Sequence, residues 1–231
     1  VTADLFWVQP VAISPDKFDS VDNNQNFAGV FTTTKLNKTQ NLDLYYFLLD
    51  NTNRVVQQGI NRGNFTNNTA GAGYYGTVDN FLFDTEGGVQ LGSVAGESLV
   101  AGFFTSGAGY NWKGAPLNPT FWAYYDYASG DDSPNTGEAH TFNQLFPFGH
   151  YYLGWLDQVG RQNIHDLNLH LYLYPTKWLT VWLQYHRFWL ANDRDALYNA
   201  AGNAIRRDAS GRAGNDGGRE FDVVLNFHLT K

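Results

Sequence analysis

Connections of alternating length constrain this 231-residue chain more than any other feature. About ten segments carry the β-branched, aromatic and period-two composition of strands, and most run about ten residues or more. They cover Thr2 to Ile13, Asn26 to Leu36, Asn41 to Asn51, Thr69 to Val78, Phe81 to Gly92, Ser98 to Tyr110, Asn118 to Ala128, Asn163 to Tyr174, Trp178 to Leu190 and Arg219 to Thr230. Between them, Ser14 to Gln25 is long and Asn37 to Gln40 short, while Thr52 to Asn68 is long and Asp79 to Asn80 short. After a modest gap at Ser93 to Glu97, the short Asn111 to Leu117 is followed by the very long Ser129 to Gln162. Pro175 to Lys177 is then a tight turn, and Ala191 to Gly218 is long again.

A meander whose two ends carry different connections suits a sheet that crosses a bilayer, with tight turns on the periplasmic side and long loops outside. A soluble sandwich has no such requirement. Composition agrees: Tyr, Phe, Trp, Gly, Asn and Thr are abundant, and no apolar run approaches the roughly 20 residues of a spanning helix, so a membrane reading needs strands. Cysteine is absent, which removes disulfides and thiolate metal sites, and the formal charge of −7 opposes a phosphate-tracking nucleic-acid binder. Methionine is absent too, and the chain opens in Thr2-Ala3-Asp4-Leu5-Phe6-Trp7 without an export signal, so a processed or truncated piece is expected.

Side chains alternate along the segments. Leu167, Leu169, Leu171 and Leu173 point one way, and Asp166, Asn168, His170 and Tyr172 the other. Leu179, Val181, Leu183 and Tyr185 oppose Thr180, Trp182, Gln184 and His186, and in the last segment Phe221, Val223, Leu225, Phe227 and Leu229 oppose Glu220, Asp222, Asn226 and His228. Asp84, Glu86 and Gln90 likewise alternate with Phe83, Val89 and Leu91. Tyr174, Trp178, Tyr185, Phe188 and Trp189 lie near segment ends, where the aromatic girdles of a membrane barrel belong.

The second half carries a run of local motifs. They include Asp126-Tyr127-Ala128-Ser129-Gly130-Asp131-Asp132, Thr141-Phe142-Asn143-Gln144-Leu145-Phe146-Pro147 and Gly149-His150-Tyr151-Tyr152. Asn163-Ile164-His165-Asp166-Leu167, Tyr174-Pro175-Thr176-Lys177-Trp178-Leu179, Phe188-Trp189 and Asp195-Ala196-Leu197-Tyr198 follow. In these motifs, from about Tyr124 to Leu229, the chain resembles the bacterial alginate export family of outer-membrane β-barrels. The earlier half is similar mainly in its order of strands and turns. The resemblance implies an all-β, antiparallel, up-and-down transmembrane β-barrel of about eighteen strands, of which residues 1–231 would be a single-domain fragment missing both ends. It implies passive movement of an acidic polysaccharide or another solute across the bacterial outer membrane, with no ATP, metal or other cofactor. Implied partners are outer-membrane lipid and lipopolysaccharide, an anionic or neutral saccharide or small solute, and periplasmic export proteins.

For such a pore, the residues expected to face the lumen are Asp84, Glu86, Gln90, Trp122, Tyr124, Asp126, Asp166, Asn168, His170, Tyr172, Gln184, His186, Asp222, Asn226 and His228. A water-lining or cross-strand pairing role is the plainer alternative for each. A polyuronate pathway calls for closely spaced arginines, yet Arg161, Arg187, Arg194, Arg206, Arg207 and Arg212 fall in loops or near segment ends, where solvation or contact with lipid phosphates would account for them. Asp131 and Asp132 suit turn chemistry better than calcium, and no histidine spacing matches a zinc site. Ser106, Ser129 and Ser133 coexist with His140 and Asp126, but without a Gly-x-Ser-x-Gly elbow, so no catalytic residue is expected. The competing reading is a secreted β-sandwich that binds carbohydrate on aromatic side chains. A sandwich would bury its leucine face under a second sheet, and a barrel would not.

Overall fold

Period-two patterning has one stable outcome here, a ladder of long strands paired in chain order. In the computed structural model, which describes residues 1–54, 56–57, 60–61, 63–133 and 136–229, ten such strands form one antiparallel meander. They are β1 (Thr2–Val8), β2 (Gln25–Lys35), β3 (Gln40–Asn51), β4 (Phe65–Val78), β5 (Phe81–Val94), β6 (Glu97–Asn111), β7 (Thr120–Ala128), β8 (Ile164–Thr176), β9 (Leu179–Leu190) and β10 (Asp216–Phe227). Each hydrogen-bonds to its neighbours in sequence, and no pairing joins β1 to β10 among the described residues, so the sheet is open. No α-helix occurs among those residues.

The connections segregate largely as the sequence anticipates, the two-residue 95–96 turn at the long-connection end being the exception. Residues 36–39, 79–80, 112–119 and 177–178 join strands at one end of the sheet, and 9–24, 52–64, 95–96, 129–163 and 191–215 at the other. Within the long connections lie small hairpins, Val11–Ala12 with Ser20–Val21 and Ala196–Tyr198 with Ala204–Arg207. Glu138–Ala139 adds in parallel to the start of β6.

Most boundaries shift by a residue or more, and four of the differences have a readable cause or bear on the ends of the sheet. The first strand ends at Val8 rather than Ile13, because Pro10 offers no N–H to a ladder and the chain turns into its small hairpin. The fourth begins at Phe65 rather than Thr69: the Asn-rich run is turn-like by composition, but pairing of Phe65–Asn67 with β3 and β5 overrides that preference. The gap at Ser93 to Glu97 shrinks to Ala95 and Gly96, whose φ of 52° and 90° make the two-residue turn that antiparallel strands favour. Finally, β10 spans Asp216–Phe227, and the predicted end at Thr230 lies outside the described residues.

The sheet has two unlike faces. On one, large apolar side chains from most of the strands are exposed, among them Leu5, Leu44, Val89, Val100, Leu167, Val223 and Leu225. Leu167 is 45% and Leu169 37% exposed, with no second sheet over them among the described residues, which is not the arrangement of a sandwich. The other face is covered by the 129–163 connection, which folds back along the strands instead of standing away from the sheet. Phe146 packs edge-on against Phe27 of β2 at 4.9 Å, Tyr151 against Trp182 of β9 at 5.1 Å, and the Leu156 N–H donates to Glu220 of β10 at 2.8 Å. A single loop that meets β2, β9 and β10 on one face requires the sheet to curl around it.

Toward the long-connection end this covered face is apolar rather than wettable throughout. Leu49, Phe65, Val94, Leu99, Ala128, Ile164 and Leu190 from strand ends form one cluster with Phe142, Leu153, Val159 and Leu197 from the loops. Burial of that set holds the loop in place; each large apolar side chain contributes about 1.5–3 kcal/mol.

Candidate functional site

Ladder register puts fourteen of the fifteen expected residues on the covered face, His228 lying just past the ladder, although their surroundings differ. Asp84 of β5 lies across from Gly107 of β6, which lies across from Tyr124 of β7, Asn168 of β8 and His186 of β9 in turn. The neighbouring row runs Glu86, Thr105, Asp126, Asp166 and Phe188. One cleft of about 520 Å³ opens among these rows, lined by Asp84, Glu86, Trp122, Tyr124, Asp126, Asn168, His170 and Tyr172 with Tyr151, Tyr152 and Arg161 from the loop.

Its aromatic walls depend on glycine. A Cβ at Gly107 would run into the Tyr124 ring, and one at Gly109 into Trp122. Without those carbons the two rings lie against the sheet and stack at 5.1 Å with 19° between planes. Tyr172 and Trp182 repeat the arrangement at 5.1 Å and 18°. Flat aromatic faces of this kind are what sugar rings and cations pack on.

Behind the cleft is a buried polar network. Arg161 donates to Asp126 Oδ1 at 2.7 Å, and Asn168 Nδ2 donates to Asp126 Oδ2 at 3.2 Å and to Asp166 Oδ2 at 2.8 Å. His186 Nδ1 meets the same Asp166 oxygen at 2.8 Å. His170 Nε2 donates to Asn168 Oδ1 at 2.8 Å and its Nδ1 accepts from Trp182 Nε1 at 3.2 Å, a pair of bonds that fixes the neutral Nε2–H tautomer. Asp166 and His186 are fully buried, so they brace the wall and do not front the cleft.

The remaining expected residues have other tasks. Gln90 clamps the loop: its Nε2 donates to Asn143 O at 2.7 Å and its Oε1 accepts from Asn143 N at 2.8 Å. Gln184 donates to Tyr151 O at 3.4 Å. Asp222 and Asn226 lie along β10 and His228 just beyond its end, none of them lining the cleft, and His228 shares a 3.0 Å contact with Thr180.

Several expectations are corrected. Arg161 is not a solvated loop arginine: its guanidinium sits over the covered face, between Asp126 and the Phe103 and Tyr152 rings, each 5.8 Å away. Phe188 is no girdle residue; even-numbered positions of β9 face inward, and its ring is buried against His186. Tyr174 lines the cleft. Ser129 donates to the backbone oxygen of His140 at 2.7 Å, and the His140 imidazole contacts Val100 O at 2.9 Å. Tyr45, Tyr151, Tyr152 and Arg161 escaped sequence reasoning because three of them sit in a loop whose inward fold no periodicity encodes. Tyr45 alone had a signal, its alternation with Leu44 and Tyr46; its hydroxyl donates to Glu86 at 2.6 Å.

Two asparagine and aspartate hubs tie the long connections together. Asn163, at a φ of 51° that asparagine tolerates better than most residues, holds the backbone of Asn192 and Ala196 through three hydrogen bonds. Asp195 accepts from Thr141, Tyr198 and the N–H groups of Asp131 and Ala196. Burial pushes its carboxyl above the usual range, and those four donors oppose the rise.

A one-layer antiparallel meander with an apolar outer face and a polar, aromatic inner face is the build of outer-membrane transport barrels. Comparison with known families matches residues 2–231 to alginate export, and the chain belongs to that family. The match extends well before Tyr124, where the local motifs begin. No curated protein matches the chain.

Proposed function

We propose that the ten strands are wall of a closed outer-membrane β-barrel, a single domain through which a polysaccharide or smaller solute diffuses passively, without enzymatic chemistry. The carrying observation is the contrast of faces: exposed aliphatic and aromatic side chains along the outer one, and a polar cleft with stacked rings on the inner one. In hydrocarbon an open sheet edge would leave each unpaired backbone group unsatisfied at a cost of several kcal/mol, so the free edges of β1 and β10 call for closure by further strands. The tight-turn end would face the periplasm and the long-connection end the exterior, near lipopolysaccharide.

Within that lumen, ten of the fifteen inward residues divide the work. Trp122, Tyr124 and Tyr172 offer sliding contacts, Asp84, Glu86 and Asp126 set the local charge, Asn168 and His170 link them to the buried network, and Gln90 and Gln184 hold the 129–163 loop as a constriction. Incorporating the full-length protein into planar bilayers tests the reading: discrete conductance steps are expected, and verified insertion with no current would end it.

A further inference from the structure

The outer face changes character toward the long-connection end. Across β8, β9 and β10 the outward row Leu169, Tyr185 and Phe221 is followed by Leu167, Arg187 and Arg219. Two arginines therefore stand directly opposite one another in the ladder, both on the apolar side of the sheet, and like charges so placed repel. Asp216 answers part of that charge. Arg187 Nη1 donates to Asp216 Oδ1 at 2.7 Å and to Gly218 O at 2.9 Å, and Arg206, from the hairpin in the 191–215 connection, donates to Asp216 O at 2.7 Å. Arg219 is exposed and has no ion-pair partner among the described residues. Three guanidinium groups gathered around one carboxylate leave this rim with surplus positive charge.

The level of the pair on the wall points to what offsets the repulsion. Trp189, one outward row nearer the long connections, has the Arg187 guanidinium 5.0 Å from its ring centroid, and aromatic girdle residues sit at headgroup depth. An outward arginine is costly at mid-bilayer and nearly free at that depth. The anion found there is a lipid phosphate, whose oxygens match guanidinium forks two at a time. We infer that Arg187, Arg219 and Arg206 form an outward-facing site for a phosphate group of lipopolysaccharide. The inference rests on the membrane-wall part of the reading above, with the long connections outside.

Native mass spectrometry of the full-length protein in non-ionic detergent tests it with two probes, lipid A carrying its phosphates and the same lipid A stripped of them. The phosphorylated form is expected to bind about ten-fold or more tightly. The double variant Arg187→Gln, Arg219→Gln should lose most of that preference, and Lys113→Gln, at the tight-turn end, should keep it. Equal binding of the two lipids by the wild type, or an undiminished preference in the double variant, overturns the inference. Where the double variant fails to assemble, Arg219→Gln alone decides, because it leaves the Arg187–Asp216 pair intact: a fall of about three-fold or more supports the site, and an unchanged preference removes it. Conductance in planar bilayers is read separately. A conducting protein without the lipid preference keeps the pore and loses the site, and a protein that keeps the preference without conducting does the reverse.

Discussion

Glycine positions on the inner face show how a missing carbon shapes a site. Gly71, Gly88, Gly107 and Gly109 each lie beneath an aromatic ring, of Tyr45, Phe103, Tyr124 and Trp122 respectively. This is the cross-strand pairing in which a ring covers the backbone that glycine exposes, and it lets bulky residues lie flat instead of projecting across the lumen. Replacing Gly107 by Val would force the Tyr124 ring off the sheet and into the cleft. Single-channel conductance of Gly107→Val is expected to fall by about half or more, and an unchanged conductance would show that the rings do not border the path. The residue also illustrates a limit of sequence reading: Tyr124 was expected to point inward, whereas the orientation of its ring depended on a residue in the neighbouring strand.

At the scale of elements, the 129–163 connection is the least legible part of the chain and the part that most defines the cleft. Its sequence reads as a long external loop, yet Phe142, Leu153 and Val159 enter the apolar cluster, and some of its polar contacts reach the inward strand residues Gln90, Asp126, Gln184 and Glu220. Gln90 is the firmest of these, buried and bonded to both the N–H and the C=O of Asn143. A Gln90→Leu substitution keeps the side chain's bulk but strands both backbone groups, at about 1–3 kcal/mol for each. Proteolysis of the detergent-folded protein within residues 143–150 should then accelerate roughly ten-fold or more relative to wild type, since about 1.4 kcal/mol corresponds to a factor of ten when cleavage follows the open population. Equal cleavage rates would mean that the apolar cluster alone retains the loop.

For the molecule as a whole, the outer face carries the decisive physical claim. Leu169 sits near the middle of β8, outward and exposed, with Tyr185 of β9 across from it. If hydrocarbon surrounds it, Leu169→Arg is expected to cost about 2–4 kcal/mol of folding free energy in phospholipid vesicles, read from urea titration. The same change would cost little on a water-facing surface, so a midpoint shift within error would contradict a membrane-facing wall. The exposed apolar face and the buried polar network invert the usual distribution of a soluble domain, and both follow from one register in which each leucine step outward is a polar step inward.

Period-two alternation determined the strands, their antiparallel order and the inward or outward sense of most expected lumen residues, because a strand leaves a side chain only two directions. Glycine, asparagine and proline fixed the turns through their backbone preferences. Tertiary structure alone decided which of the inward residues meet a cleft and which brace it, that Arg161 is paired with Asp126, and that Phe188 is core rather than girdle. Those outcomes rest on contacts between residues tens of positions apart, where a loop's apolar side chains found a surface to bury against, and local patterns carry no record of such partners.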